Sequence, residues 1–394
     1  MGISWSKPWF FRWGSRAEAL LPEPSLLEHT YQYDGKVLII GAGASGLAAA
    51  RVLKKNKIDF SILEATDRHG GRLKEDTSFA NFPVDQGAEF IHNLAGILDV
   101  LSGSPGKSGE IDLVRQWMTD SCSWDGSRLK KTSNLKFELI HRFFPEYKFK
   151  KSTWYEFVTK HVADGDVQDH IKLNAPVTEI DYSGSKVVVT TTDGQKHKAD
   201  KVIVTVSVGV LRSGNIKFVP NLPEEKQKAL DEVPFHKGLK MGLKFSTKFY
   251  PEIIAVKFGS GGEKNFYDMA FGKGPTADHV LGLLATGETA EPYYSLASEE
   301  DIVKAVLEEL DAMFDGEATR SFQGDYWLED WGHKEFTQGT WVEGPRISNT
   351  TLASLVRPLE SKIYFAGEAT DTYQQMGVPG AVLSGYKAVH DMMT

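Results

Sequence analysis

Apolar and polar positions along the chain fall into two periods. Residues 36–40 (KVLII) form a short unbroken apolar run rich in β-branched side chains. That pattern predicts a strand covered on both faces of a parallel sheet. GAGASG follows at 41–46, then LAAARVLKKN, a run of helix formers, and then IDFSILE at 58–64 as a second strand. Together they read as one βαβ unit. Residues 96–165 read as mainly helical, with a loop at 102–109 and a turn at 124–128 (WDGSR). IKLNAPVTEIDYSG and KVVVTTTDGQKHKADKVIVTV then read as consecutive strands, turning at Asp193-Gly194. Pro223 opens a short helix over 222–233. GLKMGLKF at 238–245 alternates with period two, and Ser298 caps an amphipathic helix over 298–314. KIYFAGEAT at 362–370 is a strand entering a glycine-bearing turn, and 379–393 is a final helix. The absence of any repeat or linker predicts domains built from interleaved segments.

Composition narrows the classes. The chain has 394 residues, 41% hydrophobic and 25% charged, which excludes disordered and collagenous chains. The net charge of −8 argues against a nucleic-acid binder, which needs a basic footprint, and suits a cationic small molecule. Cys122 is the single cysteine, so neither an internal disulfide nor a multi-cysteine zinc site can form, and no metal is expected. One thiol fits a reducing compartment. With no run of about 18 apolar residues and no signal-like segment, the chain is read as cytoplasmic. In the first 35 residues Trp5, Trp9, Phe10, Phe11 and Trp13 alternate with Lys7, Arg12 and Arg16. This is an arm whose aromatics pack on the body of the protein or touch a membrane surface; docking on the body is the plainer reading.

The chemistry begins at the glycines. Gly41, Gly43 and Gly46 form G-x-G-x-x-G between a strand and a helix. Gly41 permits the tight turn, Gly43 lets backbone approach a pyrophosphate, and Gly46 permits close helix–strand packing. Glu64 ends the second strand, where a carboxylate accepts both ribose hydroxyls of an adenosine. This far, NAD and FAD fit equally. EATDRHGGR then places Arg68, Gly70, Gly71 and Arg72 just beyond the carboxylate, and Arg72 offers a planar fork to phosphate or a flavin edge. A solvated pair of surface arginines is the plain alternative.

With these motifs in place, the sequence resembles the flavin-dependent amine oxidases, the family of monoamine oxidases, polyamine oxidases and histone lysine demethylases. The resemblance rests on G-x-G-x-x-G, on EATDRHGGR, on VDQGAEFIH at 84–92, on APVTEI at 175–180 and VIVTVSVGVL at 202–211, and on YFAGEAT at 364–370 with MGVPGAVLSG at 376–385. It implies an α/β (α+β overall) fold: a Rossmann-like FAD-binding domain of interleaved segments (36–95, 166–215 and 348–394) and a substrate domain of mixed sheet and helices (96–165 and 216–347), after an arm over 1–35. It implies FAD, with Glu64 on the adenosine ribose, Arg68, Gly71 and Arg72 along the cofactor, Val177 at adenine through its backbone, Glu368 at the ribityl–pyrophosphate region and the Val378 backbone at the flavin's pyrimidine edge. Trp331 would sit near the flavin, and Trp341 would form a wall for the amine.

The resemblance also marks Lys240, in K-x-x-L-x-F, as the lysine that holds a water against flavin N5. By alternation, Lys240, Gly242 and Lys244 share one strand face, and Leu239, Met241, Leu243 and Phe245 the other. A solvated lysine face is the plain alternative. His92 stands where animal and yeast polyamine oxidases carry a histidine near the substrate amine, which leans the reading toward polyamines. The expected reaction is oxidation of an amine C–N bond to an imine, with dioxygen as acceptor and hydrogen peroxide as product.

There are departures. Gly377 stands where monoamine oxidases place a second aromatic wall. Cys122 is far from the C-terminal flavin segment, so FAD is expected to be non-covalent. The 93–165 stretch is short, with KKSTWYEF at 150–157 where a Gly-Gly-led segment is common. Two other readings stay open: an L-amino-acid oxidase, which needs an arginine for the substrate carboxylate (Arg115, Arg142 and Arg346 are the candidates), and a weakly active FAD-stabilised binding protein.

Overall fold

The computed structural model describes residues 24–92, 96–104, 106, 109, 111–116, 120–131, 146–163, 167–257, 261–343, 347–371 and 377–394. Its main elements are β1 (Val37–Ile40), α1 (Ala44–Lys55), β2 (Phe60–Leu63), β3 (Ile171–Lys172), β4 (Lys201–Val204), α2 (Glu224–Glu232), β5 (Gly238–Phe245), β6 (Ile253–Lys257), β7 (Lys264–Asp268), β8 (His279–Thr286), α3 (Glu299–Phe314), β9 (Phe322–Asp330), α4 (Asn349–Val356), β10 (Ile363–Phe365) and α5 (Val378–Met393). The aromatic arm and Arg142 and Arg346 lie outside the described residues, as does the side chain of Arg115.

A five-stranded parallel sheet runs in the order β3-β2-β1-β4-β10, so strands far apart in sequence lie side by side. Every residue of β1 is buried, as an unbroken apolar run requires when both faces are covered. One of those covers is the α1–α5 pair. The helices approach closely because small residues face each other. A Cβ on Gly385 would sit 2.2 Å from the Ser45 carbonyl oxygen and 3.0 Å from Ala48 Cβ. A Cβ on Gly46 would sit 2.0 Å from the Gly41 carbonyl oxygen.

Beside it lies a four-stranded sheet of Val177–Asp181, Val187–Thr191, Lys196–Ala199 and Lys217–Val219. Gly194, with φ 77°, makes the turn expected of the Asp193-Gly194 pair. A third, seven-stranded sheet has the order β9-β5-β8-β7-β6, continued by Ser121–Trp124 and Leu129–Lys131. Leu239, Met241, Leu243 and Phe245 of β5 pack with Ile302, Val303, Val306 and Leu310 of α3 in one core. Ser298 caps α3 by accepting the Asp301 N–H. No helix among the described residues is long and apolar enough to cross a membrane.

The expectation of a mainly helical 96–165 is corrected for its described residues. Its described part holds one helix of six residues, Ile97–Ser102, and a short helical stretch over 154–162. Otherwise it forms strands at Leu113–Gln116, Ser121–Trp124, Leu129–Lys131 and Glu146–Phe149. Ser121–Ser123 extend the large sheet by pairing in parallel with β6, and Leu113–Gln116 pair with Glu146–Phe149. Partners distant in sequence decide these strands, and local periodicity is silent about them.

Gly385→Ala should lower the stability of the apoprotein by about 1–3 kcal/mol, the usual cost of overpacking. Gly184→Ala is the control, since its Cβ would meet only the Lys186 carbonyl oxygen at an ordinary 3.6 Å. Equal thermal midpoints for the two variants would show that the α1–α5 contact yields freely.

Candidate active site

Two glycine loops meet at the carboxyl ends of β1 and β2. Gly41 turns with φ 100° and donates its N–H to the Leu63 carbonyl at 2.8 Å. Gly70 donates to the Ala42 carbonyl at 2.8 Å, and a Cβ on Gly71 would lie 3.3 Å from Gly43 Cα. A Cβ on Gly43 would meet nothing within 4 Å, and the same holds for Gly367. Gly43 is the N-cap of α1 with φ −76°, contributes no side-chain cap, and is followed by a first turn free of acidic residues. The positive end of α1 is thus left uncompensated beside open space, as a pyrophosphate requires.

Around this cradle the side chains divide by task. Glu64 is buried at the end of β2. Its carboxylate accepts the Ala42 N–H at 2.7 Å and the Thr66 N–H and hydroxyl at 3.0 and 2.8 Å, which orients it beside the glycine turn. Arg68 turns its guanidinium on its own loop, donating to the carbonyls of His69, Gly71 and Leu73. It shapes the loop that presents Arg72. Arg72 Nη1 reaches the Thr340 carbonyl and, at 3.2 Å, Glu368 Oε1. Its guanidinium lies 5.6 Å from the Phe235 ring centroid. Val342 N–H donates to the other Glu368 oxygen at 3.4 Å. Arg72, Glu368 and the segment 340–342 therefore converge although they come from three distant parts of the chain. Trp341 is half-buried between the two residues that bind this pair. Trp331 is buried, donates Nε1–H to the Gln86 carbonyl at 3.2 Å, and has Lys334 Nζ 4.7 Å from its ring. Val177 opens its strand paired with Thr191, and Val378 begins α5 directly after Gly377.

Lys240 is 4% exposed, so its strand is not solvated on the lysine face. Gly242 and Gly282 explain how that face closes. A Cβ on Gly242 would strike the Trp327 ring at 2.4 Å, and one on Gly282 the Tyr267 ring at 2.7 Å, so both rings lie flat on the sheet. Lys240 Nζ donates to the carbonyls of Asp85 and Gly87 at 2.6 and 2.9 Å and to Glu89 Oε2 at 2.9 Å. An ammonium has three N–H groups. All three find protein acceptors in this arrangement.

His92 is half-exposed, with Nδ1 2.7 Å from Glu146 Oε2. Crowding by protein lowers the imidazole's pKa, but the Glu146 carboxylate outweighs that and raises it overall. Two more carboxyls belong to this group. Burial first, and Glu343 next, push Glu263 up to about 7. The Thr286 hydroxyl accepts the Glu263 N–H at 2.9 Å. Sequence reasoning passed over Glu89, Glu146, Glu263 and Glu343. No local pattern marks them, and sheet pairing and loop packing bring them inward.

The fold and the cradle define a dinucleotide-binding oxidoreductase. A profile of flavin containing amine oxidoreductases matches residues 134–393, and one of NAD(P)-binding Rossmann-like domains matches residues 39–100. The chain belongs to the flavin containing amine oxidoreductase family. It is 26% identical to human lysine-specific histone demethylase 2 over 90% of its own length and 53% of that protein's. It is 27% identical to polyamine oxidase 4 of Oryza sativa subsp. japonica, covering 90% of this chain and 88% of that one. The chain thus spans about half the length of the histone demethylase. Its fold matches cyclohexylamine oxidase of Brevibacterium oxydans with TM-score 0.72 and 18% identity, over 92% of this chain and 99% of that one. It matches a putrescine oxidase variant with TM-score 0.71 and 17% identity, over 91% and 99%. The cofactor is FAD, held without a covalent bond, and the cradle fits it. The single cysteine, Cys122, is buried in the strand that pairs with β6.

Gly43→Ala should leave apoprotein stability within about 0.5 kcal/mol of the parent, because its φ suits any residue and its Cβ meets nothing. FAD affinity should fall tenfold or more, read by fluorescence titration of apoprotein. Unchanged affinity would place the pyrophosphate elsewhere.

Proposed function

We propose that the protein oxidises the carbon–nitrogen bond of an aliphatic amine, most favourably a diamine or polyamine, with dioxygen as acceptor. The observation that carries this reading is the convergence of Arg72, Glu368 and the Thr340–Val342 segment, with Trp341 at its centre, on the side of the glycine cradle. Bound FAD would supply the acceptor for a hydride equivalent leaving the α-carbon, and the electrons that reduce dioxygen to hydrogen peroxide. The chain's own residues bind and orient. Glu64 takes the ribose, Arg72 and the N-terminus of α1 take phosphate charge, and Glu368 keeps Arg72 in place. Trp341 offers an aromatic face that attracts a cationic amine and excludes water. Water then hydrolyses the released imine to an aldehyde and a free amine.

His92, Glu146, Glu263 and Glu343 support the polyamine reading. Glu146 and Glu263 face the His92 imidazole and Glu343 lies beside Glu263, so acidic groups gather where a second ammonium group of a long substrate would lie. Below about pH 7 Glu263 is neutral, and above it is anionic. The apparent KM for a diamine should therefore fall as pH rises through 7, and Glu263→Gln should flatten that profile. A superimposable profile would remove Glu263 from recognition.

The reading as a whole is tested by mixing the flavoprotein anaerobically with spermine, spermidine, simple monoamines and L-amino acids. Bleaching of the flavin's visible band by the polyamines is expected. A band bleached only by amino acids, or by none of the panel, would overturn the assignment.

A further inference from the structure

Behind Arg72 the protein buries a cluster of charge. Glu89 sits at its centre. Its Oε1 lies 2.7 Å from Lys148 Nζ, and its Oε2 lies 2.9 Å from Lys240 Nζ and accepts the Tyr267 hydroxyl at 2.9 Å. Lys148 is 1% exposed, and Lys240 is 4% exposed. Lys148 also donates to the carbonyls of Asp268 and Met269 at 3.3 and 3.2 Å. The Tyr267 ring lies 5.8 Å from one ammonium and 5.7 Å from the other. Asp85, Glu89, Lys148 and Lys273 also line a small cavity with room for about one water. Directly opposite Lys240 on the neighbouring strand, and so on the same face, Glu329 is buried and paired with Lys74 and Lys334.

Protonation in this cluster follows from its geometry. Burial pushes the Glu89 carboxyl up, but Lys148 and Lys240 outweigh it and hold it at about 2. Burial and then the neighbouring Glu89 raise Asp85 and Tyr267 well above their ordinary values. Burial and then Lys148 lower Lys273 to about 8. Glu89 is the carboxylate in contact with Lys240 Nζ, while Glu329, on the same face, is taken by Lys74 and Lys334.

A single thickness of backbone separates the cluster from Arg72. Lys240 holds the carbonyls of Asp85 and Gly87, and Trp331 holds the carbonyl of Gln86 between them. On the far side of the same segment, Gln86 N–H donates to the Lys74 carbonyl at 2.8 Å and Ala88 N–H to the Arg72 carbonyl at 3.4 Å. The fit is so close that a Cβ on Gly87 would sit 1.8 Å from the Arg72 carbonyl oxygen. Charge at this depth is poorly screened, so it acts on whatever Arg72 contacts.

We propose that Glu89 is a positioning residue that fixes Lys240 and Lys148 in place and sets the buried charge behind Arg72, and thereby tunes the reduction potential of the bound flavin. The inference rests on Arg72 lying at the cofactor, as proposed above, and is independent of which amine is oxidised. Reduction adds negative charge to the flavin, so a more positive cluster raises the potential and a less positive one lowers it.

The test is the potential of the holoprotein, measured by equilibration with redox dyes and without any amine. Glu89→Gln removes one negative charge and should raise the potential. Glu89→Gln combined with Lys148→Met restores the cluster's net charge and should return it to the parent value. Lys148→Met alone should lower it. Potentials that follow cluster charge across the series support the proposal, whatever the thermal midpoints do. A Glu89→Gln value equal to the parent overturns it and leaves Glu89 a purely structural ion pair. If Glu89→Gln does not fold, an unchanged potential in Lys148→Met overturns it equally. An inability of any amine to reduce the flavin would bear on the oxidase reading alone.

Discussion

Backbone has to come against backbone at a few points before anything else in this protein can be placed. The glycine turn after β1 touches the Gly70–Gly71 loop, α1 touches α5, and Gly87 touches the Arg72 carbonyl. A methyl group on Gly46, Gly385 or Gly87 would occupy space already held by a backbone carbonyl, and one on Gly71 would press on Gly43. These contacts bind three loops of the N-terminal βαβ region to one another and to the C-terminal helix in one edge. The edge presents uncompensated helix N–H groups, a carboxylate and an arginine toward the same open space. Binding of a large, doubly charged cofactor follows from that arrangement, because donors already in place need not be ordered on binding.

Around that edge the protein buries an unusual amount of charge. Lys148, Lys240, Glu89, Glu329 and Glu368 are all nearly inaccessible, and each has a partner of opposite sign. Buried ion pairs contribute little to stability against apolar packing of the same volume, since desolvation offsets the attraction. Their value here is positional. An ammonium with all three N–H groups committed holds two backbone carbonyls and a carboxylate at once, which no apolar side chain does. The same economy appears away from the site, where Lys226 of α2 donates to the last carbonyls of α4 at 2.8 and 2.7 Å and lies 4.0 Å from the Phe365 ring. There a cation meets the negative end of a helix dipole and ties two helices into one core.

Much of this was legible in the residues. The all-apolar KVLII run, the spacing of Gly41, Gly43 and Gly46, the carboxylate at Glu64 and the strict alternation of GLKMGLKF are local patterns. Local sterics and hydrophobic period are enough to specify strand, turn and helix there. The Ser298 cap and the Asp193-Gly194 turn are of the same kind. The four strands within 111–149 were not legible, because each is only three or four residues long and exists through a partner elsewhere.

The sequence by itself determined the class of cofactor, the βαβ unit that cradles it and the two faces of β5. It did so because those features depend on residue type and on spacing within one or two turns of chain. Tertiary structure alone decided that Lys240 is buried and fully donated, that Arg68 serves its own loop while Arg72 reaches Glu368, and that Glu89 joins two lysines. Each of these depends on what crosses over a side chain from a distant segment. Sheet register and loop closure set that crossing, and no local pattern records it.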